Sequence, residues 1–239
     1  MVALHADAQR YFEESLTIYK SIQSPTGVAR NLLSQAQLAR YHKDFERAKS
    51  LYQRALDEYA SLGDRRGQGM CWNGLGEIAR FEGVYEDARA HYQRALKLFE
   101  GIGAQYDVAI TCTNLGLLEL RQRELLAAEH YLQTAHALVI EKDYPYLMAG
   151  VGYNLALVQM MLGREDAASK ILAPVWSMNE RIPISDLDFA EPLEQLGALR
   201  AQVGSQREAS LLWQRARAIY EELDLKEDLE RLDRMIKSL

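Results

Sequence analysis

The stretch "LYQRALDEY" (Leu51–Tyr59) returns forty residues later as "HYQRALKLF" (His91–Phe99). Ala48, Tyr52 and Ala55 are matched by Ala88, Tyr92 and Ala95. The same small–large–small triplet recurs as Ala8, Phe12, Ser15; as Ala128, Leu132, Ala135; as Ala168, Leu172, Val175; and, one residue late, as Ala209, Trp213, Ala216. Offsets of four and then three residues place each triplet on one helix face. The small members let a neighbouring helix approach, and the large one fills the gap. A fixed period of this length marks one supersecondary unit that is stacked repeatedly.

A second series precedes the first: Gln35-Ala36, Leu75-Gly76, Leu115-Gly116, Leu155-Ala156 and Leu196-Gly197. An apolar residue follows two positions after each small one (Leu38, Ile78, Leu118, Val158, Leu199), again at helical spacing. Each unit is therefore a hairpin of helix A and helix B, with Gly63, Gly83, Gly103 and Gly163 near the joints, where a helix ends at little cost. The extra residue of the last unit falls around "RIPISDLD", with Pro183 and Ser185 as a loop signal and N-cap. Pro174 lies within a B helix and predicts a kink or a split.

"WNGLG" (Trp72–Gly76) followed by Ala88, Tyr92 and Ala95 resembles the tetratricopeptide (TPR) signature over almost the whole chain. The period of 40 is similar to that of kinesin light chains, and "ASLGDRRGQGMCWNGLGEIARFEGVYEDARAHYQRAL" to the TPR sensor segments of bacterial ATPase-type transcription regulators. Ala79 stands where a Tyr is usual, Gln35 replaces a Leu, and the Pro after helix B is missing. The resemblance implies an all-α, right-handed TPR solenoid of antiparallel hairpins with about 12 helices, forming a single array over 1–239. Its parts are a lone B-type helix at 4–22, hairpins at 26–62, 64–102, 104–142, 144–181 and 185–224, and a charged, amphipathic capping helix at 225–239.

The bulk composition excludes several classes. A formal charge of −6 gives no support to direct nucleic-acid binding, although a local basic strip stays compatible with it. Two cysteines, Cys71 and Cys112, form no disulfide framework, and with no signal sequence or membrane span the expectation is a cytoplasmic chain. The five histidines lack metal-site spacing, and "GLGEIARFEG" contains G-x-G only as a by-product of the repeat. Pairs such as Glu86-Asp87 and Glu165-Asp166 suit helix N-termini. The expectation is no catalysis, no metal and no cofactor.

In TPR proteins the A helices line the concave side, so differences among their copies point to a ligand. The candidate groove runs from Arg30, Arg40, Asn73 and Arg80 through Ile110, Asn114, Leu117, Tyr153, Asn154, Leu157, Met160 and Met161 to Glu191 and Glu194. Apolar groove residues ask either for a ligand or for a groove whose walls touch. Asn114 and Asn154 are equivalent positions. Their amides either hold the backbone of an extended peptide or tie off a carbonyl of a neighbouring helix. The carboxylate clamp of chaperone-tail TPRs does not fit: its places hold Asn73, Glu77, Asn114, Gly150 and Asn154, with no lysine. The reading is a protein- or peptide-binding scaffold, a sensing module in bacterial signalling. One alternative is a homodimer formed through the half-repeat at 4–22. A lesser one is regulation of a signalling enzyme, as in TPR phosphatases, whose additional N-terminal bundle the sequence does not show.

Overall fold

The computed structural model describes residues 2–178 and 187–237. Pro183 and Ser185, the expected loop and N-cap, lie outside the described residues. Among the described residues there are twelve helices and no strand: α1 Val2–Ser21, α2 Pro25–Tyr41, α3 Phe45–Ser61, α4 Arg65–Phe81, α5 Tyr85–Glu100, α6 Gln105–Arg121, α7 Leu125–Glu141, α8 Pro145–Met161, α9 Glu165–Met178, α10 Leu187–Gln202, α11 Gln206–Glu222 and α12 Lys226–Lys237. After α1, the even-numbered helices are of the A type and the odd-numbered ones of the B type.

The joints show a rhythm half as long as the repeat. Ten of the described residues have positive φ, about twenty apart except between Gly163 and Gly204: Gln23, Lys43, Gly63, Gly83, Gly103, Arg123, Asp143, Gly163, Gly204 and Asp224. In each case the next amide donates to the carbonyl five residues back, as in Asp64 to Tyr59 at 2.9 Å and Arg164 to Gln159 at 2.8 Å. This left-handed stop satisfies the orphan carbonyls of a helix end. Only five of the ten are glycine, so the other stops are set by the helices packed on either side. Entry is helped where Ser24, Asp44 and Asp64 accept from the amides of Gly27, Arg47 and Gly67.

The chain divides into two compact units, Met1–Leu118 and Glu119–Leu239. In the first, α2 pairs with α3 and α4 with α5; α3 also packs on α4, and α1 on α2. Its core joins Leu32, Ala36, Tyr52, Ala55, Tyr59 and Ile78. In the second, α8 pairs with α9 and α10 with α11; α7 and α10 lie against α8, and α12 against α11. Tyr153, Leu157, Leu172, Val175, Leu196 and Trp213 lead its core. The B-helix triplets of α3, α5, α7, α9 and α11 are all 3% exposed or less, as their repetition predicts.

The small A-helix residues cradle large B-helix ones. A Cβ added at Gly76 would lie 2.6 Å from the Tyr92 ring, and one at Gly197 would lie 2.4 Å from Trp213. Gly74 receives Tyr52 from the preceding B helix in the same manner, at 2.2 Å. The helix α9 runs on through Pro174 and is not split there. A second internal proline, Pro192, is buried within α10.

Candidate functional site

The A helices of the first unit carry a continuous polar row. Its hub is Glu77 on α4, with a side chain 17% exposed. Oε2 of Glu77 pairs with Nη1 of Arg40 on α2 at 2.6 Å. Its Oε1 accepts from the amide nitrogens of Asn73 at 2.9 Å and of Asn114 on α6 at 3.3 Å. Asn114 also donates to Oδ1 of Asn73 at 3.2 Å, and the Thr111 hydroxyl reaches that same oxygen at 3.4 Å. Next in line, Arg66 forks onto Asp107 at 2.7 and 3.3 Å. Three successive A helices are thus joined through side chains one repeat apart. A satisfied, half-buried network of this kind fixes the register between helices. Around it Arg30, Gln37, Tyr41 and Phe81 are exposed, while Met70 and Ile110 are half-buried.

The arginines of the candidate groove behave differently from one another. Arg30 is exposed and Arg40 is held by Glu77. Arg80 is a correction to the expected groove: it is only 3% exposed, with Nε 3.4 Å from the Tyr92 hydroxyl and its guanidinium stacked 4.8 Å from the Phe81 ring. The reason is the large triplet residue of the same repeat, whose hydroxyl needs a partner inside the stack. Burial pushes the Tyr52 phenol up to about 12 against the pull of the Arg40 cation, the corresponding pair one repeat earlier. In the third and fourth repeats both members turn apolar together, as Leu120 with Leu132 and Met160 with Leu172.

Within the second unit the corresponding A-helix face is packed shut on α8. From Ala149 to Met160 every residue of α8 is buried. Tyr153 and Leu157 are 0% and 1% exposed, packed with side chains of α9, α10 and α11. Met161 is half-buried against that core. In the first unit Leu117 of α6 is buried as well, 8% exposed. These apolar positions therefore present no open groove, because here the walls touch. The paired Asn amides are a correction as well. Asn154 is 1% exposed and donates to the Gly150 carbonyl of its own helix at 2.9 Å, while Asn114 is engaged by α4. Asn31 performs the neighbour-helix tie instead, donating to the Phe12 carbonyl of α1 at 3.0 Å.

The acidic end is also occupied. Glu194 accepts two bonds from Arg231 of α12, at 2.8 and 2.9 Å, and one from the Tyr220 hydroxyl at 2.8 Å. Glu191 pairs with Arg121 at 3.0 Å. Sequence reasoning missed the hub role of Glu77, which it counted only among the places that do not fit a carboxylate clamp. The available signal was a lone carboxylate at a groove position with Arg one repeat before it and Asn one repeat after. Cys71 and Cys112 are buried free thiols, each pushed up to about 12 by burial. Among the described residues no cluster of His, Cys, Asp or Glu could hold a metal ion, and no helix is long and apolar enough to cross a membrane.

Residues 70–141 match the family model for the tetratricopeptide repeat. No curated protein matches the sequence. The fold is similar to that of BtubC from P. vanneervenii (22% identity, 92% of this chain and 91% of that one, TM-score 0.70). It is also similar to a Rap protein in complex with Competence and Sporulation Factor (17% identity, 98% and 72%, TM-score 0.62). A third similar structure is a kinesin light chain with nearly identical TPR-like repeats from Podosopora anserina (15% identity, 82% and 95%, TM-score 0.58).

Proposed function

We propose that the chain is a non-catalytic interaction module, and that it holds a peptide or protein segment along the A-helix face of the first unit. The observation that carries this reading is the contrast between the two units. The equivalent face is sealed by core packing in α8, while on α2 and α4 it stays accessible, polar and aromatic. Arg30, Arg40, Asn73 and Ile110 belong to this site, together with the exposed Tyr41 and Phe81. Arg30 and Gln37 offer donors to main-chain carbonyls or acidic side chains. Tyr41 and Phe81 offer aromatic faces to apolar or proline residues. The Glu77 network beneath keeps the three helices in register, so the contacting side chains are already in place when a segment arrives.

Two similar structures support the reading: the Rap protein is complexed with a factor, and YrrB is described as a TPR protein with an unusual peptide-binding site. The Rap likeness also supports a place in bacterial signalling. The test is a displayed peptide library selected against the full chain, followed by calorimetry with wild type and with Arg30→Glu/Tyr41→Ser. Both positions are exposed, so the variant keeps its fold. Selected peptides should bind wild type and lose most of their affinity for the variant. Failure to select any peptide, or equal binding by the variant, overturns the reading.

A further inference from the structure

Each B helix turns one narrow side away from its neighbours. On α7 this outer stripe runs Leu126, His130, Gln133, Ala137 and Ile140, in alternating steps of four and three, and all of these side chains are exposed. Leu126 and Ile140, at its two ends, are 68% and 55% exposed. In the other copies the position of Leu126 holds Ala6, Glu46, Glu86, Asp166 or Arg207, and that of Ile140 holds Lys20, Ala60, Glu100, Glu180 or Glu221. The repeat therefore calls for small or charged residues at both places, and α7 alone sets large aliphatic ones there. Hairpin stacking gives them nothing to pack on, so the departure points to a contact made beyond the stack.

The stripe is symmetrical about Gln133. Reversing it lays Leu126 on Ile140 of a second copy at each end and sets the small Ala137 beside the larger His130. Gln133 meets itself. Its amide holds both donors and an acceptor, so two of them pair across a two-fold axis, and a single polar residue within an apolar seam fixes its register. The flanking charges agree. The chain enters α7 through Arg123 and Glu124 and leaves it through Lys142 and Asp143, all of them exposed. The same reversal brings Arg123 to Asp143 of the second copy and Glu124 to Lys142, opposite signs in both cases. A parallel arrangement would instead set Arg123 on Arg123 and Asp143 on Asp143. Within the chain Lys142 pairs with its neighbour Glu141 at 2.8 Å, and among the described residues no ion pair engages Arg123, Glu124 or Asp143.

We infer that α7 is the contact of a two-fold symmetric homodimer, in which two copies lay their outer stripes together antiparallel with Gln133 on the axis. Such an isologous contact closes on itself and leads to a pair, not a filament. Leu126 and Ile140 lose water contact in it. One helix laid along another is a small interface, so the dissociation constant belongs on the order of tens of micromolar. The contact uses a B helix of the second unit and does not depend on the A-helix face proposed above.

The test is sedimentation equilibrium of the full chain at concentrations from about 5 to 500 µM, which bracket that range. The wild-type mass should rise toward that of two copies. Leu126→Glu/Ile140→Glu should stay monomeric throughout, and because both positions are exposed its circular dichroism should match that of wild type. Arg123→Asp should weaken association by at least about fivefold, since like charges then meet at both ends, and adding Asp143→Arg should restore it. That restoration separates this register from any other dimer. A wild type that remains monomeric overturns the proposal and leaves the stripe to a different chain. A dimer indifferent to the glutamate variant, or one that Asp143→Arg fails to restore, overturns it as well. Arg30→Glu/Tyr41→Ser, which addresses the A-helix face, should leave the association unchanged.

Discussion

Replacing Gly76 by alanine tests the packing rule on which the repeat rests. Two effects oppose each other. Removing a glycine from a helix interior gains about 1 kcal/mol in helix propensity. The new Cβ, however, lies 2.6 Å from Cδ1 and Cε1 of Tyr92, whereas carbon atoms pack comfortably at about 3.5–4.0 Å. The ring must move by roughly 1 Å, and overpacking of this kind costs about 1–3 kcal/mol. Tyr92 is completely buried and its hydroxyl meets Nε of Arg80, so the ring cannot swing without disturbing a buried arginine. The net expectation is a loss of about 0–2 kcal/mol, as the difference between those two terms. The chain contains its own compensated copy, since the fourth repeat sets Ala156 against Leu172. In a Tyr92→Leu background the same Gly76→Ala change should therefore become neutral, or stabilising by up to about 1 kcal/mol. Urea unfolding followed by far-UV circular dichroism, on wild type, both single variants and the double, reads the coupling. If Gly76→Ala stabilises the wild-type chain as much as the Tyr92→Leu chain, the cradle argument is wrong.

Lys43 and Arg123 hold positive φ at helix stops where other repeats have glycine; Lys43→Gly and Arg123→Gly should each raise the urea midpoint, by an amount on the order of 0.5–1 kcal/mol. Cys71 and Cys112, buried with thiols pushed up to about 12, should react with a disulfide reagent at pH 8 only on unfolding; rapid labelling of the native chain would contradict their burial. Burial lowers the pKa of His91 and His136 below the usual 6.5. The unfolded chain then binds more protons, so stability should fall as pH drops below about 6.5 through the folded-state values. Midpoints at pH 7.5 and 5.5 should differ less in His91→Gln/His136→Gln than in wild type. Glu194→Ala removes the acceptor of three bonds, two that tie α12 to α10 and one that ties α11 to α10. Amide exchange in α12 should accelerate while that in α4 stays as it was.

The hairpins were legible because they rest on one-dimensional information. Ala88, Tyr92 and Ala95 repeat in phase, and each copy meets the same neighbours. The helix stops were half legible. Glycine announces a left-handed residue at Gly63 or Gly83, but nothing local announces one at Lys43 or Asp143. There the conformation is imposed by helices that must pack on both sides, which makes it a tertiary effect. Pro174 pointed to a kink or a split, and α9 is not split there. The fold keeps the helix going because both flanking residues of the triplet, Leu172 and Val175, are completely buried.

The site was less legible, and for a physical reason. Position within the repeat says which helix face a residue occupies, but not whether that face is open. Arg40 and Arg80 are equivalent in sequence, yet one is half-exposed beside Glu77 and the other is sealed under Tyr92 and Phe81. Both face a Tyr across the hairpin, so what separates these two is Glu77, which pairs with Arg40; between the first two repeats and the next two, the pairing itself changes. An Arg on helix A accompanies a Tyr on helix B in the first two repeats, and apolar residues replace both in the next two. A polar pair must carry hydrogen-bonding partners with it into the stack, as Arg80 and Tyr92 do, whereas an apolar pair packs without any. The exchange from Arg80/Tyr92 to Leu120/Leu132 therefore marks the place along the chain where hydrogen-bonded packing between the helices gives way to apolar packing. Exchanging one pair should move that place: Met160→Arg/Leu172→Tyr should expose part of α8, and ought to be read out as faster amide exchange at Tyr153–Leu157. Unchanged protection there would mean that the α8 face is sealed by something other than this pairing.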